Sequence, residues 1–284
     1  MATRPKTLPA ALVPVWAGCV LAWRVEGVFS LRLAAATLLG ALCIQIATNL
    51  FNDAIDAAKG ADTDQRLGPK RVTASGLMSR RAVLAWAAGF LGGAAVCGAV
   101  LFEARGWPIV AIGLPSLYLA YGYTGGPWPL AYRGLGEVFV VTFFGWVAVA
   151  GTVFIQTGHW PPEALLLGTQ VGLLSAALIS INNLRDREED AGTGKRTLAV
   201  KLGDRAARRL VVGEIAGAVL LAPAWIFFDL PWLAAAVVPV VLLGSRIARS
   251  VGTRAEGREL NLFLALAGLQ LVLFATAFHL AALF

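Results

Sequence analysis

The chain has 284 residues, of which 58% are hydrophobic and 14% are charged, and its mean hydropathy is +0.71. A soluble domain of this length usually carries about a quarter charged residues, so the composition excludes a water-soluble globular protein. The three cysteines stand singly in separate apolar stretches. This spacing implies neither a zinc site nor a disulfide framework.

Nine apolar stretches are long enough to cross a hydrocarbon core of about 30 Å as helices. They lie near residues 8–23, 33–52, 82–102, 107–123, 135–155, 164–184, 208–228, 231–247 and 260–282. The sequence therefore predicts an all-α, polytopic membrane bundle that forms one domain over residues 1–284. No small-residue cleavage pattern follows the basic N-terminus, so we interpret the first stretch as a retained helix rather than a cleaved signal.

The net charge of +7 reflects where the basic residues lie along the chain. With a cytoplasmic N-terminus, 21 of the 24 Lys and Arg residues fall on the cytoplasmic side, as the positive-inside rule requires. The charge is therefore an orientation signal, and the expected partner is the lipid bilayer and not nucleic acid.

The two longest cytoplasmic loops are predicted at residues 53–81 and 185–209, after the second and sixth helices. Residues 70–77 of the first loop resemble residues 195–202 of the second. This similarity predicts two related four-helix units followed by a ninth helix. Because internal repeats commonly place sites at their interface, both loops are expected at one central cavity.

An Asn/Asp cluster closes the helix before each of these loops. In the first cluster, positions 49, 53 and 56 share one helix face, and Gly60 is the expected helix stop. In the second cluster, positions 183, 186 and 190 share a face in the same way, whereas Glu188 and Glu189 lie off it. The polar members of the two clusters are Asn49, Asn52, Asp53, Asp56, Asp62, Asn182, Asn183, Asp186 and Asp190.

Ionised groups at membrane depth are costly and usually face a functional cavity. Facing carboxylates repel one another unless a cation lies between them, and ligands that are all oxygen select a hard ion such as Mg²⁺. Nearby basic residues are candidate donors to phosphate oxygens. They are Lys59, Arg66, Lys70, Arg71, Lys195 and Arg196. The clusters therefore predict a magnesium-diphosphate site, although each basic residue taken singly is equally well explained as a solvated helix end.

These residues resemble the UbiA superfamily of intramembrane aromatic prenyltransferases, which carries an NDxxDxxxD-like and a DxxxD-like motif. The segments 52–56 and 186–190 match the two motifs. In this chain Gly60 stands four positions after Asp56 and the next acid is Asp62, a departure typical of the dihydroxynaphthoate prenyltransferase branch of menaquinone synthesis. Other segments similar to that branch are 4–10, 68–69, 75–76, 123–127, 134–137, 156–158, 182–186 and 194–198.

The resemblance implies a cytoplasm-facing enzyme of the bacterial inner membrane that transfers a polyprenyl group from its diphosphate to 1,4-dihydroxy-2-naphthoate. Carbon dioxide and diphosphate are lost, and demethylmenaquinone is formed. It implies catalysis by Asp53, Asp56, Asp186 and Asp190, and Mg²⁺ ligation by the same four residues with Asn49 and Asn52. The implied substrate-binding residues are Arg4, Asn49, Lys59, Asp62, Arg66, Lys70, Tyr121, Tyr123, Asn182, Asn183, Lys195 and Arg196, with Arg133 as a further candidate.

Three alternatives remain at this stage. Another aromatic acceptor such as 4-hydroxybenzoate would keep the superfamily and change the branch. A secondary transporter also has pseudo-repeats, but no helix here has a paired Gly/Pro break around a charge. A CDP-alcohol phosphotransferase also uses Mg²⁺, but its DGxxAR-type motif is absent from both clusters.

Overall fold

The computed structural model describes residues 7–60, 67–68, 71–253 and 255–284. Over these residues the protein is helical throughout, which confirms the predicted all-α bundle. The nine long helices of the described chain are α1 (Pro9–Glu26), α2 (Leu31–Ala58), α3 (Arg80–Arg105), α4 (Trp107–Gly122), α5 (Gly136–Thr157), α6 (Glu163–Arg185), α9 (Asp204–Phe228), α10 (Pro231–Thr253) and α11 (Gly257–Ala281). Two short helices, α7 (Arg187–Gly192) and α8 (Leu198–Leu202), lie between α6 and α9.

Seven of the nine long helices are long and apolar enough to span a membrane. Of the other two, α4 is a shorter apolar helix, and α1 has 18 residues. The protein is therefore a multi-pass membrane protein, and the prediction of nine spans is close to the observed helix count.

Two helix ends extend beyond the apolar stretches that predicted them. Helix α2 continues to Ala58, in agreement with the expected helix stop at Gly60. Gly60 has a φ of +67°, a left-handed conformation that only glycine adopts easily. Helix α9 begins at Asp204, so residues 204–209 are helical rather than loop. The polar turns at the ends of these helices are stabilised by contacts of their side chains, and hydropathy gives no information about such contacts.

The bundle has one large apolar core and two smaller ones. The large core joins α1, α6, α9, α10 and α11 and includes the fully buried side chains of Trp225, Phe274 and Phe278. One smaller cluster joins α2 to α3, and the other joins α2, α3 and α4 to the end of α5. Helix α2 packs on α3 as α6 packs on α9, and α3 packs on α4 as α9 packs on α10, which is the pairing that two related four-helix units require.

Helices α5 and α6 approach one another closely along a seam of three glycines. A Cβ atom built on Gly145 would lie 2.9 Å from the Cα of Gly172, and one built on Gly168 would lie 3.1 Å from the carbonyl oxygen of Gly145. A side chain at these positions would force the backbones apart. The glycine seam therefore fixes α5 against α6.

The C-terminal end of α5 is held by the Arg105 side chain of α3 and by the backbone of Ser30, just before α2. The Arg105 guanidinium donates to the carbonyl oxygens of Ile155 at 2.8 Å and Gln156 at 2.7 Å, which are orphan acceptors at a helix C-terminus. The Gln156 side chain pairs with the backbone of Ser30, accepting its N–H at 2.7 Å and donating to its carbonyl at 3.2 Å. These contacts tie the first half of the chain to α5 at the end away from the Asn/Asp clusters.

Candidate active site

A central cavity of about 690 Å³ runs between helices α2 to α6. Its polar end lies at the C-terminal ends of α2 and α6, and its other end reaches Phe102 and Trp107. The charged and Asn side chains of the lining are Asn49, Asn52, Asp56, Arg71, Glu137, Asn182, Asn183, Asp186 and Lys195. Both predicted clusters therefore contribute to one cavity, as the repeat in the sequence predicts.

The two clusters are joined by Lys195. Its ammonium group lies 3.8 Å from Oδ2 of Asp56 and 3.5 Å from Oδ1 of Asp190. The Lys195 backbone N–H also donates to the Asp190 carbonyl at 2.9 Å, so the tight turn after α7 aims this side chain. One ammonium charge is thus shared by a carboxylate from each half of the molecule.

Asp190 is buried, and its Oδ2 has no hydrogen-bond partner among the described residues. Burial raises the pKa of Asp190 to about 6, and the nearby Lys195 ammonium partly opposes that rise. The unpaired oxygen of Asp190 is therefore available to a further positive charge or hydrogen-bond donor.

Asp56 receives three donors at the mouth of the cavity. Besides Lys195, the Arg71 guanidinium donates to Oδ2 at 3.2 Å, and the Tyr132 hydroxyl donates to Oδ1 at 2.9 Å. The ammonium of Lys59 lies 3.8 Å from the centre of the Tyr132 ring and donates to the Thr124 carbonyl at 3.1 Å. Three cationic side chains therefore lie within the same small region as Asp56.

Asp53 faces the loop that follows α2. Its two carboxylate oxygens accept the backbone N–H groups of Val72 at 3.0 Å and Thr73 at 2.8 Å. These bonds order the segment immediately after Arg71. Asp53 therefore positions the loop that brings Arg71 to Asp56.

Asp186 is held by its neighbour Arg185 in a two-pronged ion pair. The Arg185 Nε and Nη2 atoms each donate to one Asp186 oxygen at 2.6 Å. Arg185 also donates to the side-chain oxygen of Asn261 at 2.9 Å, and Asn261 donates to the Leu67 carbonyl at 3.1 Å. This buried network links the second cluster to the last helix and to the first loop.

Beyond its polar end the cavity is apolar, with an aromatic wall nearest the clusters. Tyr123, Phe139 and Phe143 line it, with ring centres 5.5 Å and 4.4 Å apart in that order. Helix α4 packs on α2 and α3, whereas α5 packs on α1 and α6. The cavity is therefore long and apolar and ends in a charged, oxygen-rich mouth. This shape suits a lipid whose apolar tail carries a diphosphate head.

The comparison with known families agrees with this geometry. The model of the UbiA prenyltransferase family matches residues 11–274. The protein belongs to the UbiA prenyltransferase family.

Named relatives of this prenyltransferase cover most of the chain. It is 37% identical to a 1,4-dihydroxy-2-naphthoate octaprenyltransferase of Mycobacterium tuberculosis, over 96% of this chain and 92% of the relative. It is 34% identical to the protein of the same name from Escherichia coli, over 86% of this chain and 82% of the relative.

Solved structures of the family share the fold. A UbiA homolog from Aeropyrum pernix superposes with a TM-score of 0.69 at 20% identity, covering 96% of this chain and 97% of that one. A UbiA homolog from Archaeoglobus fulgidus, bound to DMAPP and Mg²⁺, gives a TM-score of 0.65 at 18% identity and covers 99% and 97% of the two chains.

Several predicted substrate-binding residues lie away from the cavity. Tyr121 is 41% exposed and packs its ring against Phe51 at 5.5 Å. Arg196 is exposed, and Arg133 lies over the Trp128 ring at 3.8 Å. Four further predicted residues lie outside the described part of the chain, namely Arg4, Asp62, Arg66 and Lys70.

The predicted amides divide between the cavity and its supports. Asn49 donates to the Thr7 hydroxyl at 3.4 Å, and the Thr124 hydroxyl donates to Asn52. Asn182 accepts from Arg185 at 2.8 Å. Asn183 donates to Oε1 of Glu137 at 2.8 Å, although the helical spacing predicted that it would share a face with Asp186 and Asp190.

Sequence reasoning missed three polar residues at the site, namely Tyr132, Arg185 and Glu137. Tyr132 and Arg185 contact predicted carboxylates directly, and Glu137 lines the cavity. Tyr132 belongs to a short segment outside both clusters, so only the fold brings it to Asp56. Glu137 could have been predicted from the sequence, because it is an acid at the start of an apolar helix and such acids usually face a functional cavity.

The site suits a cation that is shared with a ligand. Within the described residues, no three His, Cys, Asp or Glu side chains converge closely enough to hold a metal by themselves. Asp56 and Asp190 nevertheless flank a common cation position, and Asp190 keeps an unpartnered buried oxygen. An oxygen-only set with few carboxylates fits Mg²⁺ whose coordination is completed by phosphate oxygens.

Proposed function

We propose that this prenyltransferase transfers a polyprenyl group from polyprenyl diphosphate to 1,4-dihydroxy-2-naphthoate and thereby forms demethylmenaquinone. One observation carries the chemistry: Lys195 joins Asp56 and Asp190 at the charged mouth of a lipid-sized apolar cavity. The names of the relatives from Mycobacterium tuberculosis and Escherichia coli support the acceptor.

The charged mouth would bind the diphosphate. Asp56 and Asp190 would hold Mg²⁺, with Asp53, Asp186, Asn49 and Asn52 as the remaining proposed ligands. When bound, Mg²⁺ supplies positive charge that stabilises the departing diphosphate. Lys195, Arg71 and Lys59 would donate to phosphate oxygens in the same region, so the chain itself carries three of the charges that the leaving group needs.

The apolar cavity would receive the tail and protect the allylic cation. Its walls exclude water, which would otherwise capture the cation. Tyr123, Phe139 and Phe143 line the cavity, and an aromatic face turned toward the allylic cation would stabilise its positive charge. The electron-rich naphthoate ring would then attack, and carbon dioxide and diphosphate would leave.

The proposed orientation puts the charged mouth in the cytoplasm of a bacterial inner membrane. The distribution of basic residues, 21 of 24 on one side, supports it. Reporter fusions at Gly60 and Gly194 should therefore report a cytoplasmic location, and fusions at Gly158 and Asp229 an external one. Gly158 lies at the end of α5 that is away from the clusters. A fusion at Gly158 that reports a cytoplasmic location would contradict the orientation.

The choice of acceptor is tested directly with the purified protein. With Mg²⁺ and octaprenyl diphosphate, 1,4-dihydroxy-2-naphthoate should give a product whose mass equals naphthoate plus the prenyl group minus carbon dioxide. The same reaction with 4-hydroxybenzoate is the comparison, read by mass spectrometry. Prenylated hydroxybenzoate with no prenylated naphthoate would discard the naphthoate acceptor and keep the prenyltransferase chemistry.

A further inference from the structure

Glu137 is a buried acid at the cavity that no step above uses. It is the second residue of α5, it is 5% exposed, and it lines the central cavity. Its Oε1 accepts the Asn183 amide at 2.8 Å, while its Oε2 has no hydrogen-bond partner among the described residues. A buried carboxylate with one unpaired oxygen is costly to desolvate, so its presence at a cavity suits a ligand that donates to that oxygen.

The surroundings of Glu137 suit a flat aromatic ligand. A Cβ atom built on the preceding Gly136 would lie 2.9 Å from the Tyr123 hydroxyl, so the Tyr123 ring lies beside the start of α5. Phe139 and Phe143 continue the aromatic wall along the same helix. The unpartnered carboxylate oxygen therefore belongs to a residue at the edge of an aromatic surface.

The position of Glu137 also relates it to the charged mouth. Its partner Asn183 stands three residues before Asp186, and both line the cavity. Within the part of the chain that the structure describes, Glu137 has no ion pair, whereas Asp56, Asp186 and Asp190 each have at least one. Glu137 is thus set apart from the diphosphate region and is suited to a neutral hydrogen-bond donor.

We propose that Glu137 is an acceptor-binding residue whose Oε2 accepts the hydrogen bond of a ring hydroxyl on the aromatic acceptor. This inference rests on the proposed function, because it takes the acceptor to be a hydroxylated naphthoate. The carboxylate accepts the hydroxyl proton in a hydrogen bond and so polarises the O–H bond, which raises the electron density of the ring carbons ortho and para to that hydroxyl. The carbon that bears the carboxyl group is activated in this way by the neighbouring 1-hydroxyl, so the 1-hydroxyl is the one that Glu137 binds. Asn183 fixes the carboxylate, and the glycine seam fixes α5 against α6.

The transfer balances without any net movement of protons. The bond from the first prenyl carbon to the diphosphate oxygen breaks, and its electron pair leaves with diphosphate. A ring carbon then bonds to that prenyl carbon, the bond from the ring to the carboxylate breaks, and carbon dioxide leaves. The electron pair of that broken bond restores the aromatic ring. The hydroxyl proton remains hydrogen-bonded to Glu137 and ends on the ring oxygen.

A matched control comes from the second buried acid of the bundle, Glu214 of α9. It is 6% exposed, its Oε1 accepts the Ser180 hydroxyl at 2.9 Å, and its Oε2 has no partner among the described residues. Among the residues described, the cavity lining includes Glu137 and excludes Glu214 and Ser180. Glu137→Gln and Glu214→Gln therefore make the same chemical change at similar burial. The two carboxylates lie close enough to interact electrostatically, but only Glu137 lines the cavity.

The test measures steady-state kinetics of the full-length protein under anaerobic conditions with Mg²⁺ and octaprenyl diphosphate. Glu137→Gln should lower kcat/KM for 1,4-dihydroxy-2-naphthoate by at least about tenfold, a modest share of what a positioned acid or base contributes. In Glu137→Gln the KM for the donor should stay within about twofold, because Glu137 has no hydrogen bond or ion pair with the described basic residues proposed to bind the diphosphate. In Glu214→Gln the KM and kcat/KM for both substrates should stay within about twofold, because Glu214 is not among the described residues that line the cavity.

Two acceptor analogues, 1-hydroxy-2-naphthoate and 4-hydroxy-2-naphthoate, complete the test. With the analogue that lacks the hydroxyl bound by Glu137, the wild type and Glu137→Gln should react equally slowly. With the analogue that keeps this hydroxyl, Glu137→Gln should again have a lower kcat/KM than the wild type. Glu137→Asp keeps the charge, should recover part of the rate, and serves if the Gln variant fails to fold. Equal losses in Glu137→Gln and Glu214→Gln, the same loss with both analogues, or a raised donor KM alone would overturn the assignment. A wild-type protein that prenylates no naphthoate would instead refute the proposed function.

Discussion

Asp56→Asn and Asp190→Asn are each expected to lower kcat by at least about 100-fold, equivalent to about 2.7 kcal/mol of transition-state stabilisation. Each substitution removes one of the two carboxylates that flank the Lys195 ammonium. With one carboxylate missing, the proposed site would bind Mg²⁺ more weakly, and the Lys195 ammonium would face one carboxylate instead of two. The Mg²⁺ concentration at half-maximal activity should rise by about tenfold, measured by titrating the purified variants.

The control for this prediction is Glu188→Gln on the same short helix as Asp190. The Glu188 side chain is 91% exposed and pairs with Arg187 at 3.4 Å, so its loss should change kcat by less than about twofold, as expected for an exposed pair. A variant of Asp56 or Asp190 that folds and keeps more than about a tenth of wild-type activity, a loss under about 1.4 kcal/mol, would contradict the two-cluster site.

Lys195→Ala is expected to lower kcat/KM for the polyprenyl diphosphate by about 100-fold or more, whereas Arg196→Ala should stay within about twofold. The two residues are adjacent in the chain, yet the Lys195 ammonium lies between Asp56 and Asp190 while Arg196 is exposed. Removing the ammonium leaves two carboxylates facing each other and would deprive the diphosphate of a donor. Initial rates at varied donor and at varied naphthoate separate the two substrates.

Lys195→Arg is the informative companion to that pair. It keeps the positive charge but replaces a compact ammonium with a wider planar group, so it should recover only part of the donor kcat/KM. An Arg196→Ala variant as impaired as Lys195→Ala would contradict the separation of the two side chains. A Lys195→Ala variant impaired only toward naphthoate would assign Lys195 to the acceptor instead.

The helical architecture was predictable because apolar length reports a membrane span directly. The predicted starts of α4 at residue 107 and of α10 at residue 231 coincide with the observed ones. The i, i+4, i+7 spacing also predicted that Asn49 and Asp56 share one helix face, and both line the cavity. The repeat between residues 70–77 and 195–202 predicted that both loops reach one site, and Arg71 and Lys195 each lie within hydrogen-bonding or ion-pair distance of Asp56.

The individual roles were harder to predict because they depend on contacts between distant parts of the chain. Periodicity placed Asp53 on the same face as Asp56, but its oxygens are engaged by backbone N–H groups of the following loop. Tyr132 reaches Asp56 only because the segment after α4 folds over the cavity mouth. Arg185 resembled an ordinary inside-positive residue, and only the fold reveals its two-pronged contact with Asp186.

The glycine seam between α5 and α6 gives the two sides of the cavity different mechanical properties. One wall, with Glu137, Asn183 and the rings of Phe139 and Phe143, is fixed to the largest core, where packed interiors transmit strain but scarcely deform. The facing wall, built from α2, α3 and α4, rests on two small clusters, and such regions open at lower free energy. If the cavity binds the prenyl tail as proposed, tails of different length would be accommodated by movement of the α2, α3 and α4 side, while the α5 and α6 side, proposed to orient the acceptor ring, would keep its alignment.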